Sequence, residues 1–402
     1  MKRLLPRRTG SRSIRVRVLS IVAIPSALLL ILGLGVSAYL VHRGDFARNW
    51  AVKMQEATAP GVGFITEVEA ERRLELLRLG GDTADTTGLA VLRQQVDMIL
   101  GQADQLGTAM SELNPAVVGA AVGAGRQLFA QLPALRQRID AGSATPMRVY
   151  AYFNQLVSVI GIGLQGMVET APDPVTASRE SVAGDLFNVL DSMSRANALG
   201  AGAVAGGGLS ADVLREFRAQ ADLYHTELTL VLPRLTDQGR QAYGTLMASP
   251  AWQQVAMMEN AILDRGARPA NGPLPLSIPD WQRAAQQVNT VLLNDWSDYH
   301  NYAEASAASG GTTIYQESLL AGGAVLLSTA LALLIAIRLS SGLVGRLRRL
   351  RADTLDLADR RLPELVARLR AGEPVDLATA VSPLAHGPRR APGAPETELI
   401  LR

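Results

Sequence analysis

The consecutive arginines Arg72 and Arg73, within the stretch EVEAERRLELLRLGG at residues 67–81, are the side chains best suited to binding chemistry in this chain. A guanidinium is permanently charged and presents its N–H donors in a planar fork. That geometry matches the trigonal oxygens of a carboxylate and would match nitrate or nitrite equally well. On a helix turning about 100° per residue, Ile65, Val68, Leu76 and Leu79 form one apolar stripe, and Arg72 falls at its centre. An arginine in core phase cannot shed its proton, so it needs an anionic partner from the protein or from outside. Two intrahelical partners compete for these residues: Glu69 stands i,i+4 from Arg73, and Glu75 stands i,i+3 from Arg72. Such pairing accounts for Arg73 better than for Arg72, because Glu75 lies toward the far side of the helix.

Catalytic chemistry finds no comparable constellation. The chain has no cysteine, which removes disulfides, thiolate metal sites and cysteine nucleophiles. His42, His225, His300 and His386 are scattered without a second metal ligand at a supporting spacing, and read as ordinary interfacial or surface residues. Carboxylates are evenly spread, as on solvated helix faces. The glycines at 206–208 lack the preceding strand and following Lys-Ser/Thr of a phosphate loop. No catalytic residue, metal site or cofactor is therefore expected.

The elements that must position the arginines are helical and membrane-bound. Residues 18–41 and 318–337 are uncharged apolar runs, each long enough at about 1.5 Å per residue to cross a ~30 Å hydrocarbon core. The first carries a weak small-residue site, VSA at 36–38, but its apolar core exceeds the ~7–15 residues usual in a signal peptide. Lys2, Arg3, Arg7, Arg8, Arg12, Arg15 and Arg17 precede it with no acid among them; Arg338, Arg346, Arg348, Arg349 and Arg351 follow the second run in the same way. The positive-inside rule then puts both termini in the cytoplasm, as in a two-pass protein of the plasma membrane in contact with lipid. It also accounts for the basic clusters, so nucleic acid is not an expected partner. Residues 42–317 hold 29 acidic against 20 basic side chains, a net charge of −9, and are expected outside.

The expected layout is a cytoplasmic start (1–17), a span (18–41), an outer domain (42–317), a second span (318–337), a linker (338–380) and a disordered tail (381–402). Within the outer domain, periodicity and turn signals predict one helix continuing from the membrane to Gly80-Gly81 and others over about 87–113, 114–140, 145–170, 177–205, 210–232 and 237–263. An eighth runs from Asp280 toward the second span. Asn114-Pro115 and Thr145-Pro146 read as caps followed by proline at the first helical position. Two sets of four helices suggest an all-α fold with a pair of antiparallel four-helix bundles joined near Pro172 and Pro174.

Taken in order, the first anchor, VEAERRLELLRL (68–79), DSMSRANALGAG (191–202), LPLSIPDWQRA (274–284), the second anchor and RLRRLRADTLDLADRRLPELVARLRAGEPVD (346–376) resemble a known family. It is the nitrate- and nitrite-sensing domain of actinobacterial membrane histidine kinases with its HAMP-like linker, and the resemblance covers about residues 1–381. It implies an all-α fold of two four-helix bundles, similar to the ligand domain of a nitrate-responsive antitermination protein, with arginines at the bundle interface holding a small anion. Arg72 and Arg73 match the paired arginines of the first helix, and Arg195 matches the arginine of the SRANAL motif on the fifth. Trp281 of IPDW is expected to pack.

Two departures concern the cytoplasmic end. Arg346 stands where a HAMP linker commonly has proline. Beyond residue 380 the family continues into a phosphoacceptor histidine and an ATP-binding domain, whereas HGPRRAPGAPETELILR is rich in Pro, Gly and Arg and is expected to be disordered. His386 there lacks the helical context of a phosphoacceptor, and no autophosphorylation is expected of this polypeptide. The expected function is a homodimeric membrane sensor in which nitrate or nitrite bridges Arg72, Arg73 and Arg195. The resulting helix shift would reach the linker helix at 343–357 and a histidine kinase in trans. The alternatives are a fragment of a longer kinase and a membrane adaptor or scaffold without a ligand. An internal acid satisfying Arg72 would undo the sensing reading drawn from that residue and leave only a two-pass membrane scaffold.

Overall fold

The structure, a computed structural model, describes residues 14–82, 86–267 and 273–370. The basic residues Lys2, Arg3, Arg7, Arg8 and Arg12, the end of the expected linker, His386 and the expected disordered tail lie outside them. The described residues are helical and contain no strand. Ten α-helices follow in order: α1 (Ile14–Leu79), α2 (Thr86–Ser111), α3 (Val118–Asp140), α4 (Pro146–Glu169), α5 (Pro174–Ala205), α6 (Ala211–Val231), α7 (Asp237–Met247), α8 (Pro250–Arg265), α9 (Ile278–Asp356) and α10 (Leu362–Arg370). A π-helical turn, Leu357–Arg361, separates the last two.

Local chemistry sets the boundaries. Gly81 stops α1 in the left-handed region at φ 98°, with the Asp82 amide returning to the Leu77 carbonyl at 3.1 Å. The Asp173 carboxylate accepts from the amides of Val175 and Thr176 at 2.8 and 2.9 Å, so α5 starts at Pro174, three residues before the sequence suggested. Ser210 caps α6 as expected. Two expectations change. Asn114 caps a turn rather than a helix, accepting from Val117 N at 3.2 Å, and α3 begins only at Val118. The expected seventh helix is two, because Ser249 accepts from the Trp252 amide and Pro250 opens α8 with the N–H it lacks.

The chain divides into two compact units, Val36–Ala321 and Met1–Gly35 with Gly322–Arg402. In the larger unit, successive helices α2 to α6 pack on their chain neighbours, and α5 lies between α4 and α6. One apolar core runs through both sets of helices, from Phe64, Val68 and Leu76 of α1 through Phe153 and Leu156 of α4 and Leu190 and Met193 of α5 to Trp281 and Val288 of α9. The end of α1 meets α5 backbone to backbone. A Cβ on Gly80 would come 2.3 Å from the Gly202 carbonyl oxygen, and one on Gly202 would come 2.8 Å from that of Leu76.

Among the described residues, three helical stretches are long and apolar enough to cross a membrane: Ile24–Leu79, Pro146–Glu169 and Ile278–Leu339. Burial separates them. The most apolar windows of the first and third are 6% buried, with Ile24, Leu28, Ile31, Leu320, Leu327 and Leu331 facing outward. That of α4 is 39% buried, and Val149, Phe153, Leu156 and Val157 are spent on the protein's own core. The features of a membrane protein thus reside in α1 and α9.

Candidate anion-binding site

The α1 stripe faces the core as its periodicity requires: Ile65, Val68 and Leu76 are buried, and Arg72 among them is 0% exposed. The protein itself supplies this guanidinium with partners. Nη1 donates to Asn154 Oδ1 of α4 at 2.8 Å and to Asp191 Oδ1 of α5 at 3.2 Å. Nη2 donates to Ser194 Oγ at 2.9 Å and lies 3.6 Å from Glu69 Oε1. Arg195, half-buried on α5, reaches the other oxygen of the same carboxylate, Asp191 Oδ2, at 2.5 Å, and donates to Ser158 Oγ of α4 at 3.2 Å. Asp191 therefore bridges Arg72 and Arg195, the place the sequence reading gave to a diffusible anion. A carboxylate is the trigonal oxyanion that suits two such forks.

The intrahelical pairs that competed for the arginines do not form. Glu75 is fully buried and belongs to Arg93 of α2, whose Nη2 lies 2.6 Å away; burial raises its pKa and Arg93 opposes the rise. Glu71, also fully buried, is gripped by Arg136 of α3 at 2.7 and 2.8 Å, and Arg136 reaches Asp97 as well. Carboxylates that looked like a solvated face are the ion-paired seam between α1, α2 and α3.

Arg73 has a different environment. Its side chain is half-buried and forms no ion pair or hydrogen bond among the described residues; burial pushes its pKa below the ordinary value and the charge of Glu69 opposes this. It lines a cavity of about 100 Å³ between α1, α5 and α9, together with Glu69, Ser194, Asn197, Gln282 and Asn289. Gln282 Nε2 is a buried donor with no partner, and Asn289 donates to Glu69 Oε2 at 3.4 Å. The cavity thus offers a guanidinium and an amide N–H that nothing among the described residues satisfies, beside three buried acceptors without a hydrogen-bond partner, Glu69 Oε1, Asn197 Oδ1 and Asn289 Oδ1. The charged groups lining it are one guanidinium, Arg73, and one carboxylate, Glu69, which burial lifts to about 7, Arg72 opposing and Asp191 reinforcing. The lining is neutral with Glu69 ionised and carries one positive charge with Glu69 protonated. A small planar anion is what this arrangement can take.

The structure brings Arg72 and Arg195 together on Asp191 and gives Arg73 to the neighbouring cavity. Asp191 and Ser194 stand in the same DSMSRANALG motif as Arg195, where an i,i+4 Asp–Arg pair was visible. Glu69 was visible only as the i,i+4 partner of Arg73, a pair that does not form, and Gln282 and Asn289 carried no signal of this kind. Trp281 is fully buried, its ring close to Gly200 of α5. His300 is buried between Glu180 and Glu304, and among the described residues no group of three or more His, Cys, Asp or Glu is arranged to hold a metal.

The site falls inside a region that matches a family of known description. The family of nitrate and nitrite sensing domains matches residues 63–294, more than half of the chain. No curated protein matches it. Among solved structures, that of the NasR transcription antiterminator is similar, with a TM-score of 0.52 and 13% identity over 80% of this chain and 86% of that one. At that identity the likeness is one of fold. The match across α1 to α9, with Arg72, Arg73 and Arg195 all inside it, makes this chain a member of the nitrate and nitrite sensing family.

Proposed function

We propose that the chain is a membrane signal-transduction sensor that binds nitrate or nitrite in the cavity lined by Arg73, on the outer side of the membrane. The observation that carries this reading is a half-buried guanidinium without an ion pair, beside the unpartnered amide of Gln282, in a cavity the size of a small anion. Arg72 and Arg195 contribute from behind, since Asp191 ties them to each other and α1 to α5. An anion drawn to Arg73 joins α1, α5 and α9, and favours whichever packing of the three closes the cavity. A ligand shifts that equilibrium only by its difference in affinity for the two packings, about 1.4 kcal/mol for each tenfold. The relay then runs along α9 toward residues 343–357 and a histidine kinase in trans, with the chain as a homodimer, both termini cytoplasmic and a HAMP-like linker between.

Titration calorimetry of the full chain in lipid nanodiscs tests the binding step. Nitrate and nitrite should give saturable heats that chloride does not, and Arg73→Gln should abolish them. Unchanged binding in Arg73→Gln would move the site elsewhere. The internal satisfaction of Arg72 favours a second reading, a membrane adaptor or scaffold in which the arginines serve only packing. Absence of heat with every anion, together with co-purification of a kinase insensitive to Arg73→Gln, would support it.

A further inference from the structure

The cavity that Arg73 lines also holds a carboxylate, and a carboxylate is an unfavourable neighbour for an incoming anion. Glu69 stands one helical turn before Arg73, is 4% exposed and borders the same space of about 100 Å³. Its Oε1 makes no hydrogen bond of ordinary length, the nearest cation being Arg72 Nη2 at 3.6 Å. Two like charges in so small a volume repel each other, and the repulsion is relieved when one of them takes a proton. Nitrate is the anion of a strong acid and does not take it. We propose that Glu69 is itself a ligand-binding residue of the anion site, entering the complex as the neutral acid with its O–H donating to an anion oxygen, so that each anion binds with one proton from solvent.

This inference rests on the reading above, that the anion occupies the cavity beside Arg73. The groups facing Glu69 are Arg72 and Arg73 on α1, Asp191 and Ser194 on α5, and the neutral Asn289, Gln282 and Gln286 on α9. The two arginines favour the charged carboxylate. Burial and Asp191 disfavour it, and together they lift the group to about 7. A bound anion adds a second negative charge and lifts it further. In the balance of the step, one O–H bond forms on Glu69 from a solvent or buffer proton, and no other bond changes. A carboxylic acid kept neutral so that it can donate is a known device of buried anion sites.

Calorimetry of the full chain in nanodiscs with potassium nitrate, between pH 6 and 9 in two buffers of different ionisation enthalpy, tests the proposal. The expected result is an uptake near one proton per nitrate at pH 8.5, with Kd level below pH 7 and rising about tenfold per pH unit above it. Glu69→Gln keeps a donor and loses the charge, and should bind nitrate independently of pH and at least about tenfold more tightly than the parent at pH 8.5. The proton count on the unmodified chain stands even if that variant does not fold. Nitrate binding without proton uptake, or a Glu69→Gln variant that retains the parent's pH slope, overturns the Glu69 assignment and leaves the cavity reading in place. No heat from either protein at pH 6 overturns both.

Discussion

Arg72 and Asp191 form a buried ion pair, 3.2 Å between Nη1 and Oδ1, that joins α1 to α5 across the core. Arg195 holds the second oxygen of the same carboxylate at 2.5 Å. Two guanidiniums thus share one acid, and Arg72 has no exposed surface through which water could compensate its loss. Replacing Asp191 by Asn leaves the buried Arg72 with only the more distant carboxylate of Glu69, 3.6 Å away, and breaking a buried pair of this kind costs up to about 3–5 kcal/mol. The Asp191→Asn variant should therefore melt well below the parent. Nitrate at fixed ionic strength should raise its melting temperature more than that of the parent, because the asparagine keeps the shape of the carboxylate but one negative charge fewer stands near the cavity beside Arg73. Thermal scans by circular dichroism, with chloride as the control salt, read both effects.

Much of this arrangement was legible in the sequence because helices advertise themselves by period. The phase of Ile65, Val68 and Leu76 placed Arg72 in the core, and the structure finds it there. Gly80-Gly81 and Ser210 marked boundaries through their own backbone and side-chain chemistry. What stayed hidden depends on contacts between distant segments. Glu71 and Arg136 are 65 residues apart, and nothing in the local pattern says that two charged side chains will find each other in the interior. The same holds for Glu69 and Asn289, which meet only when α9 folds back along α1. The i,i+3 rule offered Glu75 to Arg72; tertiary packing gave it to Arg93, because α2 presents a cation on the face where Glu75 lies. The break between α7 and α8 was legible in Ser249-Pro250, a capping pair that the apolar period running through it obscured.

His300 supplies a prediction about pH. Burial opposes its charge, yet hydrogen bonds to Glu180 at 2.8 Å and Glu304 at 3.0 Å outweigh it and lift the imidazole to about 9. Trp296 stacks on the ring, with 5.6 Å between centroids and 7° between planes, and Glu304 also accepts from Thr58 of α1. A basic group raised on folding contributes stability that is complete below its unfolded value of about 6.5 and is lost as pH rises through its folded value. The melting temperature should therefore fall between pH 6.5 and 9. Glu69, lifted by burial to about 7, pulls in the same direction, with its contribution lost by about pH 7. A His300→Gln variant should be less stable at pH 6.5 and should lose the part of the decline above pH 7.5; melts every half unit of pH distinguish the two groups.

Glycine substitutions separate close approach from open space within one fold. A methyl group on Gly80 would fall 2.3 Å from the Gly202 carbonyl oxygen, a backbone atom that cannot rotate aside, so Gly80→Ala has to push the end of α1 away from α5. Overpacking of this kind costs about 1–3 kcal/mol. Gly163, inside α4, would place its methyl where nothing lies within 4 Å, and there the gain in helix propensity should stabilise the protein by about 0.5–1 kcal/mol. The same chemical change should therefore shift the melting temperature in opposite directions. Ligand binding should divide the pair as well: α1 carries Glu69 and Arg73 and α5 carries Ser194 and Asn197, so prising them apart at Gly80 widens the cavity and weakens nitrate. Gly163→Ala leaves that seam untouched and should bind nitrate with the parent's affinity. Equal affinities in the two variants would mean that the seam between α1 and α5 does not set the geometry of the site.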